Sequence, residues 1–445
     1  MNHRIGMHWT PSHYTSVRAS YFKLMNAINI RPMAESIFAE QAIGRVLWTD
    51  IRSHTDIPSS NCSHMDGFVV KYNDISRISQ HGPIKLRVMP RRKDGKRENQ
   101  ILLTGQTIRV STGEVLPRLG DTVIPVEYTQ FDSKNNTIII HRDLAKGSFV
   151  SYKGSEIALK NLLLNKRHVL RAQDLALIAM LGIRKLKIFK KPRVAIIPTG
   201  NELTENITDI KRGKILNTNS RVISNLIETS GGTPLDLGIT PDNIYKIKDK
   251  IRLALSESDM ILTTGGSSVG LRDLVAESIN DIGKPGILVH GVKLDRGRVT
   301  GLAALRNRPV IILPGPIQGA VNAFIVFAQP LIRLMLGLHP FNKPFISAKL
   351  TEDWNARRKF QHFTKIIYVK MTRSASGEFH AKHVTGETTN ITVLTRTNGY
   401  ILVPERLTVL KRGQKVKINI FPGLYLSSGN LIEFPYQSEE SFLPF

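Results

Sequence analysis

Apolar and polar positions follow two different periods along the chain, and the change of period marks its parts. From Arg193 onward, short apolar runs are separated by stretches of helical spacing, the pattern of an α/β layer fold. Val194 to Ile197 reads as a buried strand ending in Pro198-Thr199-Gly200. Asn219 is the expected N-cap of a helix carrying Ile223, Leu226 and Ile227, closed by Gly231-Gly232, and Asp242 the expected cap of a second with Ile244, Ile247 and Ile251 on one face. Met260 to Thr263 is another strand, followed by Gly265-Gly266 and a helix beginning near Asp273. Pro309 to Leu313 repeats the scheme, with Pro314-Gly315 ahead of a long helix to about Leu336. In open parallel sheets the loops leaving the carboxyl ends of the strands gather around one crevice. Three of those loops here are polar and rich in glycine.

The period shortens to two elsewhere. Phe68 to Lys71, Ile84 to Val88, Thr107 to Val110, Thr122 to Val126 and Thr137 to His141 are short alternating runs between Gly, Pro, Asp and Asn, which predicts a small mostly β domain. Residues 348 to 420 read similarly, with Tyr400 to Val403 and Val416 to Ile420 closing a compact C-terminal β-barrel. Leu159 to Leu181 has apolar residues at helical spacing and is expected to pack with an early helix around Met33 to Ala42. The domains expected are therefore a discontinuous helical linking domain (15–46 and 152–190), the small β domain (47–151), the α/β domain (191–338) and the barrel domain (339–445).

Composition narrows the class. At ~150 residues per domain, 445 residues are enough for about three cored domains. With 41% hydrophobic and 22% charged residues, and with 33 Gly and 22 Pro dispersed, disorder and collagen-like structure are excluded. The single cysteine, Cys62, rules out an internal disulfide and a cysteine-based zinc site, which points to a reducing cytoplasm. The N-terminus MNHRIGMHWTPSHY lacks the apolar core of a signal peptide. The run Val310 to Leu338 is interrupted by Pro314, Gln318, Asn322, Pro330 and Arg333, so no membrane span is expected. Lys and Arg number 62 against 36 Asp and Glu, a formal net charge of +26. That field attracts polyanions, acidic membranes or small phosphorylated ligands. The excess is spread through every domain, although residues 160–193 hold ten Lys or Arg and one acid, Asp174. Such scatter argues against a single face that reads nucleic acid.

Against that charge, a few acids sit at glycine-rich positions. Asp66 lies in Ser63-His64-Met65-Asp66-Gly67-Phe68, where Asp-Gly before an apolar run also reads as a turn. Thr112-Gly113 stands at a strand end, where hydroxyl and N–H groups hold oxyanions. Glu202 follows Pro198-Thr199-Gly200-Asn201 and points to the crevice, or equally favours the next helix N-terminus. Thr264-Gly265-Gly266-Ser267-Ser268-Val269-Gly270-Leu271-Arg272-Asp273 lets backbone approach a ligand and presents N–H groups as an anion nest, with Asp273 either functional or simply an N-cap. Hard carboxylate oxygens suit Mg²⁺, which bridges acids to phosphate oxygens and assists anhydride cleavage. Arg272, Lys293, Arg296 and Arg298 are candidates to hold the anionic remainder, while Arg306 and Arg308 read as a solvated turn. His380 and His383 fall on opposite faces of an expected strand, and Cys62 reads as an incidental buried thiol. There is no nucleophile-elbow triad.

Taken in order, these loops resemble the MoeA family, the molybdopterin molybdenumtransferases related to the C-terminal part of gephyrin. Gly44-Arg45-Val46-Leu47 and Asp56-Ile57-Pro58 precede Ser63 to Phe68 as in the family's lead-in to its Met-Asp-Gly-aromatic motif. Thr112-Gly113 with Asp121-Thr122-Val123-Ile124, Gly154-Ser155-Glu156-Ile157, Thr199-Gly200-Asn201-Glu202-Leu203, Gly265 to Asp273 and Leu313-Pro314-Gly315 resemble successive family loops, and Asn398-Gly399 with Val403-Pro404 its barrel. The resemblance implies a multidomain α/β fold: a three-layer doubly wound α/β (MogA-like) domain, a small mostly β domain, a helical linking domain and a C-terminal β-barrel. It implies an elongated homodimer whose active sites join the α/β domain of one chain to the small β domain of the other, with no membrane and no specific nucleic acid as partner. Molybdopterin adenylyltransferase and molybdoenzyme chaperones are further partners it suggests.

The implied reaction is Mg²⁺-dependent cleavage of adenylyl-molybdopterin, with molybdate or tungstate delivered to the dithiolene and AMP released. Asp66, Glu202 and Asp273 carry over as the catalytic acids, the last two as metal ligands. Thr112, Gly113, Glu156, Thr199, Gly200, Gly265, Gly266, Ser267, Ser268, Arg296, Arg298, Pro314 and Gly315 carry over as substrate contacts. The chain departs from the family in Arg296-Gly297-Arg298-Val299, where Pro-Gly-Lys-Pro is usual, in Pro314-Gly315-Pro316-Ile317-Gln318-Gly319 for Pro-Gly-Asn-Pro-Val-Ser, in Gly154-Ser155-Glu156 for Gly-Glu-Asp, and in Asn201 for a common acid. The alternatives are an adenylyltransferase sharing the α/β domain, whose loop normally reads Gly-Gly-Thr-Gly, or a non-catalytic basic homologue that binds nucleic acid or a scaffold.

Overall fold

The computed structural model describes residues 14–90, 99–265, 273–341 and 344–421. They form two compact units: a smaller one made of 36–43 and 47–187, and a larger one made of the preceding residues, 44–46 and everything from 188 onward.

The smaller unit is built on a sheet of β1 (Gly67–Val70), β2 (Ile84–Val88), β3 (Gln106–Val110), β4 (Thr122–Pro125), β5 (Thr129–Asp132) and β6 (Thr137–Ile140), in the order β4-β1-β3-β2-β6-β5. Every pairing is antiparallel except β2 with β3. The two-residue period sorts its side chains onto two faces. Phe68, Val70, Ile124, Ile138 and Ile140 pack with Ile75 and Ile78 on one face, while Val69, Ile108, Val110 and Val123 pack with Leu102 and Leu116 on the other. Five of the strands match the alternating runs of the sequence; β5 carries no such run.

Two helical expectations fail in this part of the chain. Residues 33–42 hold a strand, Ala34–Phe38, and a 3-10 turn, Ala39–Gln41, whereas the N-terminal helix is Val17–Ala27. Backbone groups flanking the strand bond to a distant segment: Lys190 N–H donates to Met33 O at 2.8 Å and Ala39 N–H to Arg184 O at 2.9 Å. Between 159 and 181 only α1 (Ala172–Met180) is helical, and Leu162–Leu164 is a strand. Lys160 and Arg167 adopt φ of 68° and 71°, left-handed values that an α-helix cannot accommodate.

Asp174, the one acid of that basic stretch, sits buried in the first turn of α1. It accepts from His168 Nε2 at 2.7 Å, and from Arg171 through backbone N–H, Nε and Nη2 at 2.8, 3.0 and 2.9 Å. The Arg171 guanidinium and the surrounding hydrogen bonds hold its carboxyl well below the usual carboxylate range.

In the larger unit, β7 (Arg193–Pro198), α2 (Thr218–Thr229), β8 (Thr233–Asp236), α3 (Ile244–Glu257), β9 (Met260–Thr264), α4 (Leu274–Ile282), β10 (Pro285–His290), β11 (Gly301–Leu305) and β12 (Arg308–Leu313) build a six-stranded sheet ordered β8-β7-β9-β12-β11-β10. The first four are mutually parallel; β11 runs antiparallel to both neighbours. Ala195, Ile197, Ile261, Val310 and Ile312 face Ile247, Ile251, Val275 and Ile279 of α3 and α4. The alternate residues Val194, Ile196, Leu262 and Ile311 are equally buried on the other face, where α2 and α5 (Ile317–Met335) contact the strands. The result is the expected three-layer arrangement. Each fully buried aliphatic side chain contributes about 1.5–3 kcal/mol relative to exposure.

The 19 residues of α5 are long and apolar enough to cross a membrane by length and composition alone. Residues 317–328 are all buried within the unit, and 324–328 form a π-helical turn. It is a core helix. Capping also differs in detail: α2 is capped by Asn217 and α3 by Asn243, not by Asn219 and Asp242.

A closed barrel completes the unit, formed by β13 (Phe345–Leu350), β14 (Lys365–Arg373), β15 (Phe379–His383), β16 (Gly399–Val403) and β17 (Lys415–Ile420) in the order β13-β15-β14-β16-β17. His380 and His383 lie on β15 as expected.

Because Asp174 has a lowered folded-state pKa, its stabilisation is fully present above about pH 4, the unfolded value, and is lost as pH falls through the folded value. Asp174→Asn is expected to destabilise the protein by ~1–3 kcal/mol at pH 7, with a smaller difference from wild type at pH 2.5. Urea unfolding at the two pH values checks the sign.

Candidate functional site

The candidate site is assembled at the carboxyl edge of the larger unit's sheet. There β7 ends in Thr199-Gly200, β9 in Thr264-Gly265 and β12 in Pro314-Gly315. His290, the last residue of β10, stands at the same edge, because it pairs with Gly301 and Gly301 pairs with Ile312. Thr199 N–H donates to Thr264 O at 2.9 Å, and its hydroxyl reaches the same carbonyl at 3.4 Å. Gly265 takes a φ of +84°, and a Cβ there would lie 2.4 Å from Thr199 O. Glycine is required by both the backbone conformation and the space.

Thr199, Glu202, Gly265 and Gly315 line one cleft of about 420 Å³, together with Asn217, Asn219, Thr389 and Ile391. Glu202 is exposed. The loop beneath it is fixed by a reciprocal pair, Asn201 N–H to Asp242 Oδ2 at 3.0 Å and Asp242 N–H to Asn201 Oδ1 at 3.1 Å. This explains why Asp242 does not cap α3. Asn219, freed from the capping role, donates its amide to Gly315 O at 2.7 Å and so ties the start of α2 to the loop after β12.

Asp273 caps α4, accepting from Ala276 N–H at 2.9 Å through Oδ1, while Oδ2 lies 2.8 Å from His290 Nε2. It is not among the described residues that line the cleft. Gly266, Ser267, Ser268 and Arg272 fall outside the described residues. His290 was missed by the sequence reading; its signal was a histidine followed by glycine at the end of a short alternating run. Asn217, Thr218 and Asn219 formed a polar run that was read for capping alone, and Thr389 and Ile391 carried no signal.

Arg296 sits elsewhere. Its guanidinium donates to Gln318 Oε1, and burial lowers its pKa. Gln318 in turn donates to Glu387 O and Asn390 O at 2.6 and 2.9 Å, holding the segment that carries Thr389 and Ile391. The divergent Gln318 thus shapes the cleft wall. The Arg298 guanidinium lies 5.9 Å from the Phe360 ring centroid, and Pro314 packs against Gly319. Neither arginine lines the cleft among its described residues.

The smaller unit brings Asp66 and Thr112 together. Thr112 donates to Asp66 Oδ1 from its backbone N–H at 2.6 Å and from its hydroxyl at 3.0 Å. These two bonds, helped by Arg109, hold the Asp66 carboxyl below its ordinary pKa. Gly67 opens β1 because a Cβ there would meet Ile124 O at 2.1 Å; the Asp-Gly pair is a close approach of strands. Gly113 N–H donates to Ser63 O at 2.8 Å, and Glu156 N–H to Ile57 O at 3.1 Å with its side chain exposed. Cys62 is buried, and burial pushes its thiol pKa up, as befits an unreactive group.

No group of three metal-ligating side chains occurs among the described residues. Glu202 offers an exposed carboxylate on the cleft, and Asp273 retains lone pairs beyond its two bonds. The cleft carboxylate of Glu202 suits Mg²⁺, which takes one or two carboxylates and fills its shell from phosphate oxygens and water.

Three family models match successive parts of the chain: the MoeA N-terminal region (domain I and II) over residues 15–182, a probable molybdopterin binding domain over 195–334, and the MoeA C-terminal region (domain IV) over 347–421. The chain belongs to the MoeA family. A molybdopterin molybdenumtransferase of Nostoc sp. is 28% identical over 412 residues, covering 90% of this chain and 92% of the relative. The putative molybdopterin biosynthesis protein of Methanocaldococcus jannaschii is 27% identical, with 89% and 94% covered. The crystal structure of a molybdopterin biosynthesis MoeA protein from Pyrococcus horikoshii superposes with a TM-score of 0.78 at 26% identity, covering 92% of this chain and all of that one. In this MoeA protein the cleft-lining Thr199, Glu202, Gly265 and Gly315 fall in the family-like loops identified from the sequence.

Gly265→Ala is expected to cost ~1–3 kcal/mol through left-handed strain alone, and more through the clash with Thr199. Thermal unfolding of the variant measures the loss, and unchanged stability would refute the close approach.

Proposed function

We propose that this MoeA protein is a molybdopterin molybdenumtransferase of molybdenum cofactor biosynthesis, which cleaves adenylyl-molybdopterin with Mg²⁺, delivers molybdate or tungstate to the dithiolene and releases AMP. The cleft at the carboxyl edge of the sheet supports this reading: it offers a hard carboxylate, Glu202, beside glycine-rich strand ends that admit a phosphorylated ligand. Full-length similarity to relatives bearing that transferase name supports it further.

The reaction breaks one phosphoanhydride P–O bond and adds the elements of water, leaving AMP and the pterin phosphate, while the two dithiolene sulfurs replace one oxygen of the oxyanion, which leaves with the two thiol protons as water. Glu202 and Asp273 would hold the metal. Bound there, Mg²⁺ neutralises phosphoanhydride charge and serves as a Lewis acid. His290 keeps the Asp273 carboxylate in one orientation, and Asn219 fixes the Gly315 carbonyl at the cleft rim. Asp66, held ionised by Thr112, orients a proton-bearing group or water of the incoming oxyanion. Arg298, Arg296 and Glu156 are proposed as more distant substrate contacts.

The setting proposed is the cytoplasm, as a homodimer; Leu159, Leu162, Val169 and Met180 of the smaller unit are exposed in the single chain and would be covered by association. Light scattering should give twice the 49.8 kDa chain mass; a monomer at working concentration contradicts this part.

Purified protein with adenylyl-molybdopterin, Mg²⁺ and molybdate is expected to release AMP. Glu202→Gln and Asp66→Asn should each lower the rate by ~10²-fold or more, the cost of misplacing a positioned group, with the unfolding curve of Glu202→Gln unchanged. Asp273→Ala should lower it as well, while also losing ~0.5–2 kcal/mol of N-cap stability. Chelation should stop the reaction and Mg²⁺ restore it. Absence of AMP with wild type, or full rates in both Glu202→Gln and Asp273→Ala, rejects the proposal.

A further inference from the structure

A second cavity of the larger unit, of about 220 Å³, lies at the other end of the same sheet. Its walls include Lys190 and Lys191 ahead of β7, Asp259 ahead of β9, Arg306 and Arg308 at the β11–β12 turn, and Arg31. The parallel strands start here and end at the cleft, so the two are separated by about 20 Å, six residues at ~3.3 Å each.

The charge around this cavity is unbalanced. Asp259 is already engaged, accepting from Arg193 N–H at 2.8 Å through Oδ2 and lying 3.9 Å from Arg308 Nη1 through Oδ1. No hydrogen bond or ion pair among the described residues engages the side chains of Arg31, Lys190, Lys191 or Arg306. Four like charges converging on one concavity repel one another, and low-dielectric walls focus their field on it.

The frame around them is fixed. Arg306 and Asn307 form a two-residue hairpin turn at φ of 47° and 65°, a conformation usually given to Asn-Gly. Asn307 clasps the opposite wall, accepting from Asn29 N–H at 2.5 Å and donating to Asn29 O at 2.9 Å. The turn therefore fixes Arg306 on the wall of the cavity that Arg31 also lines.

We propose that this cavity is a binding site for a polyphosphate group, distinct from the cleft of the proposed reaction. The volume is below the ~300 Å³ at which pockets for drug-sized ligands begin, a size that suits a diphosphate. Guanidinium forks from Arg31 and Arg306 match phosphate oxygens in pairs, and the two lysines serve as point charges. The source of the diphosphate is either inorganic pyrophosphate or the tail of a nucleotide whose remainder stays outside.

Calorimetric titration of the full-length protein with inorganic pyrophosphate tests the site. Wild type should bind, and Lys191→Glu/Arg306→Glu should weaken binding at least tenfold. A control pair with the same charge change away from the cavity, Lys246→Glu/Lys382→Glu, should leave it within twofold. ADP binding tighter than pyrophosphate, with the same loss in the cavity variant, assigns the group to a nucleotide; ADP no tighter than pyrophosphate assigns it to the inorganic ion. No binding by wild type, or equal losses in the cavity and control pairs, overturns the proposal. Should the charge reversal unfold the chain by circular dichroism, Arg31→Gln/Arg306→Gln decides: wild-type affinity in that variant overturns it and a several-fold loss upholds it.

Discussion

The candidate cleft depends on how closely two neighbouring strand ends can approach. Thr199 bonds to the Thr264 carbonyl, and the next residue, Gly265, passes beneath the Thr199 carbonyl with no room for a side chain. With that contact in place, the chain leaving β7 turns to carry Glu202 along the cleft. A side chain at residue 265 would separate the two ends and widen the floor on which every other lining group is set. Parallel strands buried on both faces supply the rigidity behind this arrangement, because their register is fixed by packing on two sides.

Polar groups at this edge are committed in pairs, and the pairing distinguishes frame from working surface. Asn201 with Asp242 and Asn219 with Gly315 satisfy each other and set loop positions. Gln318 does the same for the segment carrying Thr389 and Ile391. Glu202 is left exposed on the cleft. In the smaller unit, Thr112 holds Asp66 as an anion, and Asp174 gathers an arginine and a histidine into a structural hub. One acid serves an exposed loop and the other the interior, although each has an arginine nearby.

Much of this was legible in the sequence where local period and tertiary environment agree. Strands β7, β9 and β12, five strands of the smaller sheet and the helix after Asp273 follow their hydrophobic spacing, and the strand-end glycines Gly265 and Gly315 fall on the cleft. Misreadings arose where a long-range partner overrides local spacing. Residues 33–42 give their hydrogen bonds to a distant segment, and the run from 159 to 181 is broken by left-handed residues that are not glycine, a break no composition rule would flag. Asn219 and Asp242 looked like caps because capping is the commonest use of such residues at a helix start; a neighbour two positions earlier or one later took that role. His290 reaches the site only through the pairing of β10 with β11, a contact that spacing along the chain does not encode.

The helix α5 has an implication for how the chain is made. A segment buried from residue 317 to 328 has only Gln318 and Asn322 to offer water, so outside the fold it is a hazard to the ribosome-bound nascent protein. It is encoded after every strand of the sheet it covers. By the time it leaves the exit tunnel, the acceptor surface of β7 to β12 is already available, and gene order itself shortens the interval in which that greasy rod must wait unprotected.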